Sequence, residues 1–107
     1  MSSFDEREKA FEDKFKHDQD LQFKVTARRN KKLGLWAAQQ LGLTGSAADT
    51  YAEDVVATEL TKRGGDTAVV GKIKADLSAK GIDTSEHRIR RELEHLAVIA
   101  KTEVMKE

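Results

Sequence analysis

The sequence contains no proline, and its apolar residues recur every three or four positions in stretches separated by glycines. Proline is the residue that interrupts helices most strongly, and a period of three to four residues places apolar side chains on one face of an α-helix. The separating glycines stand at positions 42, 45, 64, 65 and 81, where turns and helix ends favour them. The pattern predicts an all-α fold, a small four-helix bundle with short connections.

Each predicted helix has its own apolar face. The first helix extends from near Leu21 to Gly42, the second follows Ser46, the third follows Asp66 and the fourth follows Asp83, each with a residue suited to a helix N-terminus. The apolar faces are Phe23, Ala27, Gly34, Ala37, Ala38 and Leu41; Tyr51, Ala52, Val55, Val56 and Leu60; Val69, Val70, Ile73 and Leu77; and Ile89, Leu93, Leu96, Ala100 and Val104. The small residues of the first face would let a neighbouring helix approach closely.

The N-terminal segment has a different composition. Phe4, Phe11 and Phe15 form one narrow line on an ideal helix, among charged residues. Burying the three rings yields roughly 5–9 kcal/mol, whereas ordering the backbone costs about 1–2 kcal/mol per residue. We predict that residues 1–19 form a mobile, frayed or disordered arm that orders in a partner's groove, and that residues 20–107 form the bundle. The alternative is that the three rings extend the first helix and pack on the bundle.

Charge is balanced overall but divided into blocks. The chain has 19 Lys and Arg against 19 Asp and Glu, and a neutral protein does not hold nucleic acid by bulk attraction. Residues 21–36 nevertheless carry five bases and no acid. Within them, four bases followed by an aromatic residue form a candidate nucleic-acid patch, or else a solvated face or a docking site for an acidic protein. The patch comprises Arg28, Arg29, Lys31, Lys32 and Trp36.

Other functional classes find little support in the sequence. There is no cysteine, so disulfides and thiolate zinc sites are excluded. Glu92 and His95 have the spacing of carboxylate-bridged metal bundles, but such sites need two copies, so no metal is expected. No nucleophile motif occurs, and we expect a protein that is not an enzyme. No apolar run reaches the ~20 residues of a membrane span, and the polar N-terminus is unlike a secretory signal, so a cytoplasmic protein is expected.

Five short motifs, in order along the chain, carry a family resemblance. They are Phe4-Asp5-Glu6-Arg7-Glu8, Lys14-Phe15-x-His17-Asp18, Phe23-Lys24-x-x-Ala27-Arg28-Arg29-Asn30, Leu33-Gly34-x-Trp36-Ala37-Ala38 and Leu41-Gly42. Together they resemble the zeta inhibitor subunit of alphaproteobacterial F-type ATP synthases. The resemblance is dense over residues 4–42 and looser beyond.

The resemblance implies a four-helix bundle with a mobile inhibitory arm. In the family, the arm becomes a helix inside the catalytic head, at an interface of the α and β subunits beside the γ shaft, where it blocks ATP hydrolysis but allows synthesis. Carried onto this chain, Phe4, Phe11 and Phe15 would anchor the arm. Four cations are candidates for salt bridges to the acidic parts of the head, namely Arg7, Lys9, Lys14 and Lys16.

The expected partners are therefore the α, β and γ subunits of the catalytic head. The free protein is expected to be a monomer, cytoplasmic and peripheral to the inner membrane through ATP synthase, without membrane insertion and without DNA or RNA. No cofactor is expected; adenine-nucleotide binding is left open by the resemblance alone. The alternative function is a small nucleic-acid-binding helical protein that uses the basic residues 28–32. A third hypothesis is a general adaptor whose arm enters another protein's groove.

Overall fold

Four α-helices form the chain in the computed structural model, which describes the backbone of residues 3–61 and 63–107 and the side chains of residues 18–61 and 63–107. The helices are α1 (Ser3–Gln40), α2 (Gly45–Thr61), α3 (Asp66–Ala79) and α4 (Glu86–Met105). No strand occurs in these ranges. The predicted all-α, four-helix fold is confirmed.

The first helix is longer than its apolar pattern predicts. It begins at Ser3 rather than near Leu21, and it has no glycine or proline before Gly34. It therefore crosses the predicted boundary between the arm, residues 1–19, and the bundle, residues 20–107. The predicted mobility of the arm concerns residues whose side chains lie outside the described ones, and it stays a prediction.

The helices pack around α1 and α3. The first helix contacts all three others and α3 contacts α2 and α4, whereas within the described ranges no Cα of α2 lies within 8 Å of a Cα of α4. Between them lies one cluster of buried apolar side chains, which joins all four helices and is sealed by half-buried neighbours such as Trp36, Leu41 and Ile82. The buried members are Leu33, Ala37, Val55, Val69, Val70, Ile73, Leu77, Ile89 and Leu93.

The predicted apolar faces of α3 and α4 form this core. All four predicted residues of α3 are buried, and so are those of α4 except Leu96, which is half-buried against the cluster. Two residues predicted for the core are instead exposed, Phe23 of α1 and Leu60 of α2. Both lie where α1 and the last turn of α2 leave a groove between them. The described helices also include none with the length and apolar character needed to cross a membrane.

Two glycines end helices as the sequence predicts. Gly42 and Gly81 have positive φ angles of 78° and 79°, a backbone conformation that disfavours other residues. Beyond each glycine, a backbone N–H returns to the helix: Leu43 donates to the Ala38 carbonyl and Ile82 to the Leu77 carbonyl, both at 2.9 Å. These bonds satisfy carbonyls that a helix end leaves free.

The starts of α2, α3 and α4 each differ from the prediction by one or two residues. The third helix begins at Asp66 itself, with Gly65 as its N-cap and no side-chain hydrogen bond at the cap. Ser85, rather than Asp83, precedes α4: its backbone is extended and its Oγ accepts a hydrogen bond from the Arg88 N–H at 3.1 Å. The second helix begins at Gly45, so Ser46 lies inside its first turn and not before it. Gly45 has a φ of 56°, which lets the chain turn directly into the helix.

Candidate functional site

The predicted arm contacts lie on the N-terminal part of α1. The backbone there is helical from Ser3 onward. The side chains themselves lie outside the described residues, so their roles as anchors and salt-bridge partners stay predictions. These residues are Phe4, Arg7, Lys9, Phe11, Lys14, Phe15 and Lys16.

Arg29, predicted as part of a basic patch, lies inside the protein. It faces the core side of α1 and is only 9% exposed. Its Nη2 lies 2.7 Å from Asp66 Oδ1 at the start of α3 and 3.2 Å from Glu59 Oε1 near the end of α2. Its Nε donates to Asn30 Oδ1 at 3.1 Å, and Asn30 in turn donates to Glu59. We call Arg29, Asn30, Glu59 and Asp66 the buried charge cluster, although the Asp66 side chain is itself 48% exposed. The cluster connects three helices.

The two carboxyl groups of this cluster differ in acidity. Burial, with the adjacent Asp66 adding to it, raises the pKa of Glu59 above its ordinary value. A hydrogen bond with Glu59, followed by the Arg29 guanidinium, lowers the pKa of Asp66. The arrangement keeps Asp66 ionised beside Arg29, while Glu59 is the group that takes up a proton first.

Two further bases of the predicted patch are paired with the C-terminal end of α4. Arg28 bonds to Glu107 and lies 3.9 Å from Glu103. Lys32 lies 3.0 Å from Glu103. These ion pairs neutralise the two bases and fix α1 against α4, although pairs this close to solvent stabilise by at most about 1 kcal/mol each.

The predicted patch is therefore not one surface. Lys31 is exposed, whereas Trp36 is half-buried against the hydrophobic core and is not free to stack on a base. Among the described side chains, only Lys31 of the four bases has no carboxylate within salt-bridge distance. A nucleic-acid interface needs basic side chains that are free to neutralise phosphates. Here the protein's own carboxylates already neutralise three of the four bases.

A groove between α1 and α2 was not predicted from the sequence. Its apolar residues are Phe23, Ala27, Val56 and Leu60, with Gln19, Gln22, Thr26, Asn30 and Glu59 beside them, and its volume is about 390 Å³. Phe23 is 58% exposed and Leu60 is 63% exposed. The helical period places both residues on core faces, so only the packing of the helices reveals their exposure. We call Phe23, Ala27, Val56 and Leu60 the α1–α2 groove.

A second group of polar contacts joins α2 and α3. The Tyr51 hydroxyl donates to Asp76 Oδ2 at 2.8 Å, and Lys72 Nζ lies 3.0 Å from the same oxygen. Lys72 also lies 5.2 Å from the centre of the Tyr51 ring, within cation–π range. Burial and then the Asp76 carboxylate raise the pKa of Tyr51, so the phenol stays protonated and keeps donating. This arrangement is structural.

The described residues contain no group of three metal-binding side chains. Glu92 and His95, which have the spacing of a metal motif, line a shallow hollow together with Arg88 and Arg91. Two guanidinium groups repel a cation, so this hollow is poorly suited to a metal ion.

The comparisons with known proteins agree with the fold and with the resemblance. The sequence matches the family described as ATPase inhibitor subunit zeta over residues 1–103. It is also similar to a protein solved by solution NMR, with 38% identity and a TM-score of 0.68 over 80% of this chain and 96% of the other. No curated protein matches the sequence. Since the family match covers nearly the whole length, the chain belongs to the family of the ATPase inhibitor subunit zeta.

Proposed function

We propose that this protein inhibits ATP hydrolysis by an F-type ATP synthase through its N-terminal arm, residues 1–19. The arm inserts as a helix at an interface of the α and β subunits near the γ shaft and stops rotation in the hydrolytic direction. The bundle, residues 20–107, stays outside the catalytic head and prevents deeper entry. The mechanism uses no cofactor, and it brings the protein to the inner membrane only through the synthase.

The observation that carries this proposal is the family match, which extends over the arm as well as the bundle. The continuity of α1 from Ser3 to Gln40 supports it, because a single helix transmits force between an inserted arm and a bundle held outside. An unbroken helix of this kind resists bending more than a jointed linker of glycine and serine.

The composition of the arm suits insertion. Three aromatic rings on one helical line supply the apolar area that a groove buries, since aromatic anchors dominate many interfaces. Arg7, Lys9 and Lys14 lie between them in the sequence and Lys16 follows the last, all available to the acidic residues of a partner. Where the free arm is frayed, as the sequence predicts, ordering it uses about 2–5 kcal/mol of the binding free energy. The inhibition therefore remains reversible.

Removing the arm tests the proposal directly. A chain that starts at Asp20 keeps every buried apolar residue found among the described side chains, since these lie from Leu33 to Val104. We expect the full chain to inhibit ATP hydrolysis by a purified alphaproteobacterial catalytic head and the shortened chain to have no effect. Equal inhibition by both would place the function in the bundle, and no inhibition by either would remove the proposed activity.

The aromatic anchors are tested by Phe11→Ala combined with Phe15→Ala. Each ring at an interface centre contributes about 2 kcal/mol, so the double variant should raise the half-inhibitory concentration by at least about 100-fold. The control is Glu6→Gln, which lies on the opposite side of an ideal helix from Phe4. Circular dichroism should show the same folded bundle in both variants. Full potency in the double variant would show that these residues are not the anchors.

The alternative nucleic-acid function gains no support from the packing. It requires Arg28, Arg29 and Lys32 to face solvent, and these residues are paired with Glu103, Glu107 or the buried charge cluster. Salt-dependent DNA binding that survives deletion of residues 1–19 would be the result that favours it.

A further inference from the structure

The α1–α2 groove leaves two large apolar side chains exposed to solvent. Five large apolar side chains among the described residues are exposed, and Phe23 and Leu60 stand together in this one groove. A second hollow of about 550 Å³ adjoins it across the outside of α1 and shares Phe23, Ala27 and Val56 with it. Adjacent apolar hollows with a polar rim are typical of surfaces that bind another protein.

The groove lies where α1 enters the bundle from the arm. In an ideal helix, positions 19, 22 and 26 lie within about 60° of the line through positions 4, 11 and 15. The side chains at those three positions, Gln19, Gln22 and Thr26, line the groove. The last anchor, at position 15, precedes position 22 by seven residues, which is about 10 Å along the axis. A partner that covers the arm therefore meets the polar edge of the groove, whereas Phe23 and Ala27 lie about 100° and 140° further round the same helix.

The rim of the adjoining hollow carries uncompensated positive charge. Lys24 and Lys31 line it and are exposed, and in the described part of the chain neither has a carboxylate within salt-bridge distance. Two acids also line this hollow. Glu53 of α2 is exposed, whereas Glu107 is paired with Arg28. The rim thus favours a partner whose apolar side chains are flanked by carboxylates.

We infer that the α1–α2 groove is a second contact surface for the catalytic head, continuous with the arm. This inference rests on the proposed function and extends it: the bundle is not a passive stopper, because Phe23, Val56 and Leu60 bind an apolar, acid-flanked segment of the head just outside the insertion site. The groove then fixes the orientation of the bundle and slows dissociation of the arm.

The test compares three single variants of the full chain, Phe23→Ala, Leu60→Ala and Val98→Ala. Val98 is the matched control, since it is 67% exposed and lies on the side of α4 opposite the buried stripe. Inhibition of ATP hydrolysis and dissociation from an immobilised catalytic head are measured. We expect Phe23→Ala and Leu60→Ala each to raise the half-inhibitory concentration by about tenfold, mainly through faster dissociation, as interface variants usually do. Val98→Ala should remain within twofold of the wild type.

The outcomes separate this inference from the function on which it rests. If the wild-type chain inhibits and all three variants match it, the groove is not a contact surface and the arm hypothesis stands. If the wild type does not inhibit, the proposed function itself fails. A concentration-dependent dimer of the free chain that Leu60→Ala abolishes, with inhibition unchanged, would assign the groove to a second copy and overturn the inference. The inference would also be overturned if Val98→Ala weakened inhibition as much as Phe23→Ala and Leu60→Ala do.

Discussion

Replacing Arg29 with methionine is expected to lower the free energy of unfolding by about 3 kcal/mol. Methionine keeps an unbranched apolar stem that reaches about as far as the arginine Nε and carries no charge, so the substitution removes the guanidinium while the stem stays packed. It leaves Glu59, a mostly buried carboxylate, without the cation that lies 3.2 Å away, and it leaves Asn30 without its donor partner. Removing one member of a buried ion pair is more costly than the pair is stabilising, because the remaining charge stays desolvated.

Chemical denaturation followed by circular dichroism measures this change, and the chain supplies a control one residue away. Arg28 is on the same helix and pairs with Glu103 and Glu107 near the surface. Arg28→Met should therefore cost less than about 1 kcal/mol. The two variants differ in the burial of the charge and not in the substitution itself, so similar losses in both would contradict the role given to the buried charge cluster.

A second substitution should restore part of the lost stability. In Arg29→Met combined with Glu59→Gln, no uncompensated carboxylate remains at position 59, and the glutamine still accepts the hydrogen bond from Asn30. We expect the double variant to be more stable than Arg29→Met alone by at least about 1 kcal/mol. A double variant that is no more stable would mean that the lost contacts of the guanidinium, rather than the uncompensated carboxylate, set the cost.

The fold could be predicted because its signals are local. Helical periodicity, the absence of proline and the glycines at helix ends act over a few residues, and they place the four helices and the buried faces of α3 and α4 correctly. The start of α1 could not be placed in this way. Residues 3–20 carry few apolar side chains, so no periodic signal extends the helix, while their backbone has no glycine or proline to interrupt it.

The candidate site was predicted less well, because charges and exposed apolar groups depend on packing. Five bases without an acid in residues 21–36 indicate a basic surface in the sequence, but for Arg28, Arg29 and Lys32 the counter-charges come from α2, α3 and the C-terminal end of the chain, 30 to 79 residues away. In the same way, Phe23 and Leu60 have the spacing of core residues but line an open groove between α1 and α2, where both are exposed. The buried position of Arg29 follows from long-range pairing and has no local signature.

A close approach of α1 to α2 leads to the second stability prediction, for Gly34→Ala. The sequence indicated that the small residues of α1 would admit a neighbouring helix, and Gly34 confirms it: a Cβ there would lie 2.6 Å from the Ala52 Cα and 3.2 Å from the Val55 Cβ. The Ala52 Cα is backbone and cannot rotate away, so α1 and α2 would have to separate and loosen the contacts of two fully buried residues. We expect an overpacking cost of about 3 kcal/mol, against which alanine gains about 1 kcal/mol in helix propensity.

Gly71→Ala is the matched control and should change stability in the opposite direction. Gly71 lies within α3 with no neighbouring atom within 4 Å of an added Cβ, so only the propensity gain of about 0.5–1 kcal/mol remains. The same substitution should thus raise the unfolding free energy at position 71 and lower it by about 2 kcal/mol at position 34. Thermal and urea unfolding of the two variants measure this difference. If Gly34→Ala were as stable as the wild type, α1 and α2 would not be held at the separation seen here, and the α1–α2 groove, which depends on that separation, would lose its fixed shape.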